Sequence, residues 1–385
     1  MRTHDVRALT ATLCALFLLA PLAGAAEFPE PLPAEPIPNE RTLPERYPDS
    51  WVFLNYASNR IELRNVGGDS RDVEGQLQAR DSTTLLVPKN RPEIYTADTV
   101  WSRYTRGTRT DYITVYDTKT LNPIGEIVLP GAKRALITVM QGMFAFTDHE
   151  RMGLVFDFTP ASSVTVVDLI NRKVLNSIDI PGCSLIYPTG ERGFSTMCSS
   201  GTMLSLKLDA SGKVIGRRET RKFNDLDHDP LFTASATVGG IRYFPSLHGT
   251  VQPIDLRGDE AKVLPQWPLV TGADLAGHWW PAGWQIAAGE GKNLLYVLMQ
   301  PNAHEGTHKD PSSEVWVYDV DTKTRVRRLR LVRQGSSIAL THGAKPLLVV
   351  QADQRLDVYD PETGSLIRSL NLPGFSTRML IQPVP

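Results

Sequence analysis

An excess of charge of either sign is missing from this chain. Its 41 Lys and Arg stand against 42 Asp and Glu over 385 residues, so it carries no electrostatic footprint for nucleic acid or an anionic membrane surface. No amphipathic helix of useful length is discernible, and a parallel α/β sheet would need several. A G-x-S-x-G elbow, a P-loop and a Rossmann fingerprint are all absent, which removes the commonest hydrolase and nucleotide-binding signatures. Motifs alone do not exclude a glycosidase, because paired carboxylates are recognised only on a fold.

Cysteine is scarce as well, with three residues in all. Cys14 lies in the middle of the apolar run ALTATLCALFLLAPLAGA, which follows Arg2 and Arg7 and closes on the small residues Ala23 and Ala25. A positive start, a short apolar stretch and a small-residue end describe a secretory signal peptide over residues 1–26. The run is too short for a transmembrane span. Cys14 is not placed at a cleavage point, so a lipoprotein is not expected. Export leaves Cys183 and Cys198, fifteen positions apart, and an even pair in an oxidising compartment is read as a bridge. Closing that loop stabilises a fold by roughly 3 kcal/mol in the chain-entropy picture.

What the sequence does have is repetition. Residues 27–50 form a proline-rich extended arm, with seven prolines between 28 and 48, open to reading either as a disordered leader or as a strap across a partner. Beyond it one pattern recurs: an alternating strand ending in Asp, a polar turn, then a second alternating strand. ITVYD (113–117), VTVVD (164–168), VQPID (251–255), VWVYD (315–319) and LDVYD (356–360) are five copies, and 203–219 and 61–77 are looser ones. Seven hairpins at roughly fifty residues each predict a seven-bladed β-propeller over 51–385, one blade being about four short strands.

Against that frame, the H-E-x-x-H match at His304, Glu305 and His308 is expected to be a loop. A zinc site of this type needs a helix through both histidines, yet Gly306 sits between them, Pro301 and Pro311 flank them, and strand-like runs lie on either side. No metal site is assigned. His228 in DLDHDP lacks the spacing of a calcium loop and is read as a solvated turn. Three tryptophans in HWWPAGWQ (278–285) are read as core and blade-edge packing in preference to a ligand stack.

Several segments together resemble the heavy subunit of the periplasmic tryptophan tryptophylquinone amine dehydrogenases, the family that includes the methylamine and aromatic amine enzymes. They are YTADTVWSRYTRGTRTDYITVYD (95–117), GCSLIYPTGERGFSTMCSSGTMLSL (182–206), DHDPLFTASA, GTVQPIDL, WWPAGWQ and EGTHKDPSSEVWVYD, in the family's order. The resemblance implies a seven-bladed heavy chain in a periplasmic heterotetramer of two heavy and two light chains. It places the tryptophan tryptophylquinone on a small cysteine-rich light subunit together with the catalytic base. It further implies oxidation of a primary amine to aldehyde and ammonia, with electrons passing to a blue-copper protein such as azurin or amicyanin. On this reading the chain contributes no catalytic residue; it is scaffold, interface and part of the substrate entrance, with no membrane insertion. Cys183 and Cys198 match the family's paired cysteines, and the arm matches its N-terminal strap. EGTHK and WWPAGWQ lean towards the aromatic amine branch. Tyr56 falls where the family offers an entrance loop, although this chain is shorter there. Trp101, Tyr104 and Arg106 are the interface candidates, with plain surface packing as the competing account. A free-standing periplasmic propeller that binds without catalysis is the alternative function.

Overall fold

The computed structural model describes residues 42–56, 60–68, 72–80, 82–291, 293–372 and 379–385. The signal peptide expected over residues 1–26 and residues 27–41 of the expected arm lie outside these. Residues 42–385 make one compact unit, and the described residues form seven antiparallel sheets of four or five strands. Blade 2 shows the plan: an innermost strand Thr84–Leu86, then Glu93–Arg103, Arg106–Asp117 and an outermost strand Pro123–Leu129. At most of the blade junctions the neighbouring innermost strands touch. The chain is thus the seven-bladed propeller that the repeats predict.

Blade 1 is assembled from both ends of the chain. Its innermost strand is the last one, Met379–Pro383, paired antiparallel with Trp51–Tyr56 so that Val52 faces Pro383 and Tyr56 faces Met379. All seven hairpin repeats, including the two loose ones, supply the third and fourth strands of a blade. The reason for their terminal Asp is visible at each turn. Asp117 Oδ1 accepts from the backbone N–H groups of Lys119 and Thr120, Asp168 from Ile170 and Asn171, Asp209 from Ser211 and Lys213, Asp319 from Asp321 and Thr322, and Asp360 from Glu362 and Thr363. Asp255 accepts from Arg257, and Asn65 does the same work in blade 1 towards Gly67 and Gly68. A short side-chain oxygen is needed to close such a turn on its own backbone.

Burial follows from how blades stack. Middle strands are covered on both faces, so Met152–Asp157 is buried throughout, whereas the outermost strand Thr324–Gly335 alternates between exposed and buried positions. Cys183 and Cys198 are register partners on the two innermost strands of blade 4 and are disulfide-bonded. The last residues of the arm pack on their own chain: Leu43 N–H donates to the Lys119 carbonyl at 2.8 Å, the Tyr47 hydroxyl donates to the Thr118 carbonyl at 2.5 Å, and Tyr47 stacks on Trp51.

Candidate functional site

Each blade is a four-stranded meander, and the chain passes from one outermost strand to the next innermost one. The second-to-third-strand connections and the blade-to-blade connections therefore open on a single face. That face carries the long connections 130–143, 220–235 and 301–311.

In blade 2 the middle hairpin outgrows its neighbours. The innermost strand pairs only as far as Ala97 and the outermost only from Asp111, while the hairpin pairing continues through Trp101 opposite Arg109 to Arg103 opposite Arg106. The excess is a two-stranded ribbon projecting from the face. Tyr104 at its tip is 81% exposed and holds a left-handed φ of 61°, a conformation that costs free energy for a bulky residue. Gly107, at φ 99°, allows the return: a Cβ there would meet Ser102 Oγ at 2.4 Å. Arg103 and Arg106 face each other across the tip, and neither has a carboxylate within ion-pair distance among the described residues. Like charges placed opposite one another on a ribbon repel.

The base of the ribbon is clamped. Arg109 grips buried Asp111 through Nε and Nη2, both at 2.9 Å, and Nη2 also donates to the Arg134 carbonyl. Asp111 accepts from the Thr99 hydroxyl at 2.6 Å and from the Arg134 N–H at 2.8 Å, while Arg134 reaches Thr99 Oγ1 and the Ser82 carbonyl. Beside them Asp98 accepts from Thr83 and Thr96. Burial raises the Asp98 pKa against those hydrogen bonds, and pushes that of Asp157 up to about 6. This polar core is tied together by residues far apart in sequence. Its only sequence signal is an Asp set inside otherwise apolar strands, in TADTV and RTDYI.

Trp101, Tyr104 and Arg106 thus share one ribbon. Tyr56 does not join them as an exposed group. It is 3% exposed at the end of a blade 1 strand, its hydroxyl donates to Glu62 at 2.8 Å, and the Arg60 guanidinium covers its ring. Two further exposed apolar side chains lie in the neighbouring sector, Leu136 on the connection into blade 3 and Phe158 on that blade's own loop. Phe158 N–H donates to Lys133 of that connection.

The remaining motifs have structural positions. HEGTH lies in the loop between two blade 6 strands, with a single 3-10 turn over Thr307–Lys309 and Gly306 at φ 92°, so His304 and His308 do not share a helix face. His228 is an exposed turn residue against Asp225. Among the described residues no group of three or more His, Cys, Asp or Glu is placed to hold a metal ion. The three clustered tryptophans divide: Trp279 packs at a tilt against Trp316, Trp280 meets His248 edge-on at 4.4 Å, and Trp284 Nε1 donates to the Val139 carbonyl.

Comparison with known proteins gives the geometry a family context. A family model for the methylamine dehydrogenase heavy chain matches residues 61–382. The chain is 29% identical to the methylamine dehydrogenase heavy chain of Methylorubrum extorquens, covering 93% of this chain and 86% of that protein. With the heavy chain of Paracoccus versutus it shares 31% identity over 72% of this chain and 66% of that protein. Among solved structures it resembles a periplasmic gluconolactonase of Pseudomonas aeruginosa at a TM-score of 0.57 and 14% identity, over 87% of this chain and 99% of that one. At that identity the likeness concerns the fold alone.

Proposed function

The chain belongs to the methylamine dehydrogenase heavy chain family, and from that premise we propose that it is the heavy subunit of a periplasmic complex that oxidises a primary amine. In the proposed reaction the amine and water become an aldehyde and ammonia with release of two protons, and two electrons leave one at a time for a blue-copper protein such as azurin or amicyanin. The tryptophan tryptophylquinone is assigned to a small, cysteine-rich light subunit in a heterotetramer of two heavy and two light chains. The tryptophans of this chain suit a packing role. The closest described pair, Trp279 and Trp316, has Arg328 stacked at 4.7 and 4.8 Å over the two rings.

The match over residues 61–382 carries the proposal. The blade 2 ribbon supports it and supplies a docking surface. A bare pair of opposed arginines and an outstanding Tyr104 suit a partner that brings acidic and apolar groups to the tip, and Leu136 and Phe158 extend that surface towards blade 3. In this proposal the heavy chain acts through shape and contact, without a catalytic residue of its own. The finer reading, an aromatic or aralkyl amine as substrate, rests on EGTHK and WWPAGWQ. The relatives reported above bear the methylamine name, so the two amines must be compared in one assay.

The test is purification of the native complex from its own periplasm, followed by absorbance spectra with and without methylamine and an aralkylamine. A co-purifying small subunit whose quinone band bleaches with amine supports the proposal, and the better amine fixes the branch. A monomer without a visible chromophore overturns it and leaves a binding propeller.

A further inference from the structure

A second feature lies at the axis of the ring. A cavity of about 310 Å3 is walled by residues from non-adjacent blades, among them Asn55, Thr84, Gln141, Arg242 and Gln285. Among the described residues Arg242 is the only ionisable side chain in that wall. It stands on the second strand of blade 5, Ile241–Pro245, and is held in place from two sides. Its Nε donates to Ser235 Oγ at 2.8 Å, and the Ser235 N–H donates in turn to Gln141 Oε1 at 3.1 Å. Its guanidinium carbon lies 4.9 Å from the ring centre of Tyr187 and 6.0 Å from that of Phe244, both fully buried.

What Arg242 lacks is a counter-charge. Among the described residues no carboxylate lies within 4.0 Å of it, and neither terminal nitrogen has a hydrogen-bond partner. Of the two arginines that are fully buried, Arg64 pairs with Glu62 at 2.6 Å, and Arg134, without an ion pair among the described residues, donates through Nη1 to the Ser82 carbonyl at 2.6 Å. Arg242 is half-buried, so its unpaired guanidinium is incompletely hydrated, and burial holds its pKa below the usual guanidinium value. On the same wall the Thr84 hydroxyl is buried without a partner. A planar fork of free N–H donors is the geometry that meets a carboxylate or an oxyanion two bonds at a time. At about 30 Å3 per water the cavity has room for roughly ten waters, which suits a small anion with part of its hydration.

We propose that the axial cavity is an anion site in which the Arg242 guanidinium binds a small carboxylate or inorganic oxyanion. The site is separate from the blade 2 ribbon and does not depend on the amine dehydrogenase assignment.

The experiment is thermal unfolding of the protein in its native assembly, with phosphate or acetate titrated against chloride at matched ionic strength. A saturable rise in Tm with phosphate or acetate is expected, and Arg242→Gln should weaken the apparent affinity at least tenfold. In the absence of either anion the variant should be as stable as the parent or more so, because an uncompensated charge has been removed. No rise beyond the chloride control, or an equal rise in Arg242→Gln, overturns the proposal. Should the variant fail to fold, selenate soaked into crystals of the unaltered protein decides: anomalous density within hydrogen-bond distance of Arg242 upholds the site, and its absence overturns it.

Discussion

The guanidinium of Arg328 lies 4.8 Å over the ring of fully buried Trp316 while its Nε donates to Glu314 at 2.7 Å and its Nη1 to Asp274 at 3.0 Å. Trp279 receives the same guanidinium on its own face, and Arg325 adds a second contact from Asp274 to Trp316. The arrangement stitches the outermost strand of blade 6 to the segment that precedes the blade. Arg328→Ala should lower stability by about 1–2 kcal/mol, read as a lower urea midpoint at unchanged slope. Arg328→Lys should not restore it, since an ammonium cannot stack and fork together. A midpoint equal to that of the parent would show the stack to be incidental.

Asp157 shapes the neutral-pH stability of the fold in the opposite sense to most carboxylates. Burial outweighs the hydrogen bond from Thr165 Oγ1 at 2.6 Å and raises its pKa to about 6, above the unfolded value of about 3.9. The folded state therefore holds a proton that the unfolded state has lost, and stability falls as pH rises from about 4 to about 6, then levels. Asp157→Asn removes that decline while its amide oxygen still accepts from Thr165. The variant should gain on the order of 2 kcal/mol over the parent at pH 7 and almost nothing at pH 4. Denaturant titrations at the two values test the sign directly.

The turn aspartates behave the other way. At Asp168 burial on its own would raise the pKa, but the hydrogen bonds from Asn171 and Ile170 together outweigh it, and the pKa is lowered. Its contribution is complete above the unfolded carboxylate pKa and is lost as pH falls through the lower folded value. Asp168→Ala should cost about 1 kcal/mol at pH 7, whereas Asp168→Asn should recover most of it, because Asn65 already closes the corresponding turn of blade 1. An Asn variant no better than Ala would refute the turn argument.

On the ribbon, Tyr104→Ala and Arg106→Glu remove no contact that holds the fold, and Arg106→Glu relieves the repulsion with Arg103, so Tm should not fall. Under the proposed function each should weaken association with the small subunit by at least about tenfold. Unchanged recovery of that subunit on an affinity-tagged heavy chain would send the docking surface elsewhere.

How much of this could be read from the residues depends on range. The third and fourth strands of every blade were legible because a single local device, an Asp or Asn closing a turn between alternating strands, recurs seven times. The pairing of Trp51–Tyr56 with Met379–Pro383 was not legible, since the partners are over three hundred residues apart and no turn joins them. Trp101, Tyr104 and Arg106 were marked by the family resemblance as residues of a loop before ITVYD, whereas the paired ribbon that carries them became visible only in the structure. The burial of Tyr56 was not legible either, because it depends on Glu62 and Arg60 coming back across a register that sequence alone does not set. The clamp of Asp111 and Arg134 and the unpaired Arg242 were invisible for a related reason. Each is defined by what surrounds a side chain in space, and its neighbours come from other blades.

The two-ended make-up of blade 1 has a consequence in time. Trp51–Tyr56 and Met379–Pro383 are separated in sequence by the other six blades, so the sheet that begins the circle keeps its inner edge unfilled until that distant strand arrives. Until then that edge offers unpaired N–H and C=O groups to any passing strand. Met379–Pro383 therefore acts as a clasp: six blades can form from strands that are neighbours in sequence, but the ring shuts only when this strand docks on Trp51–Tyr56.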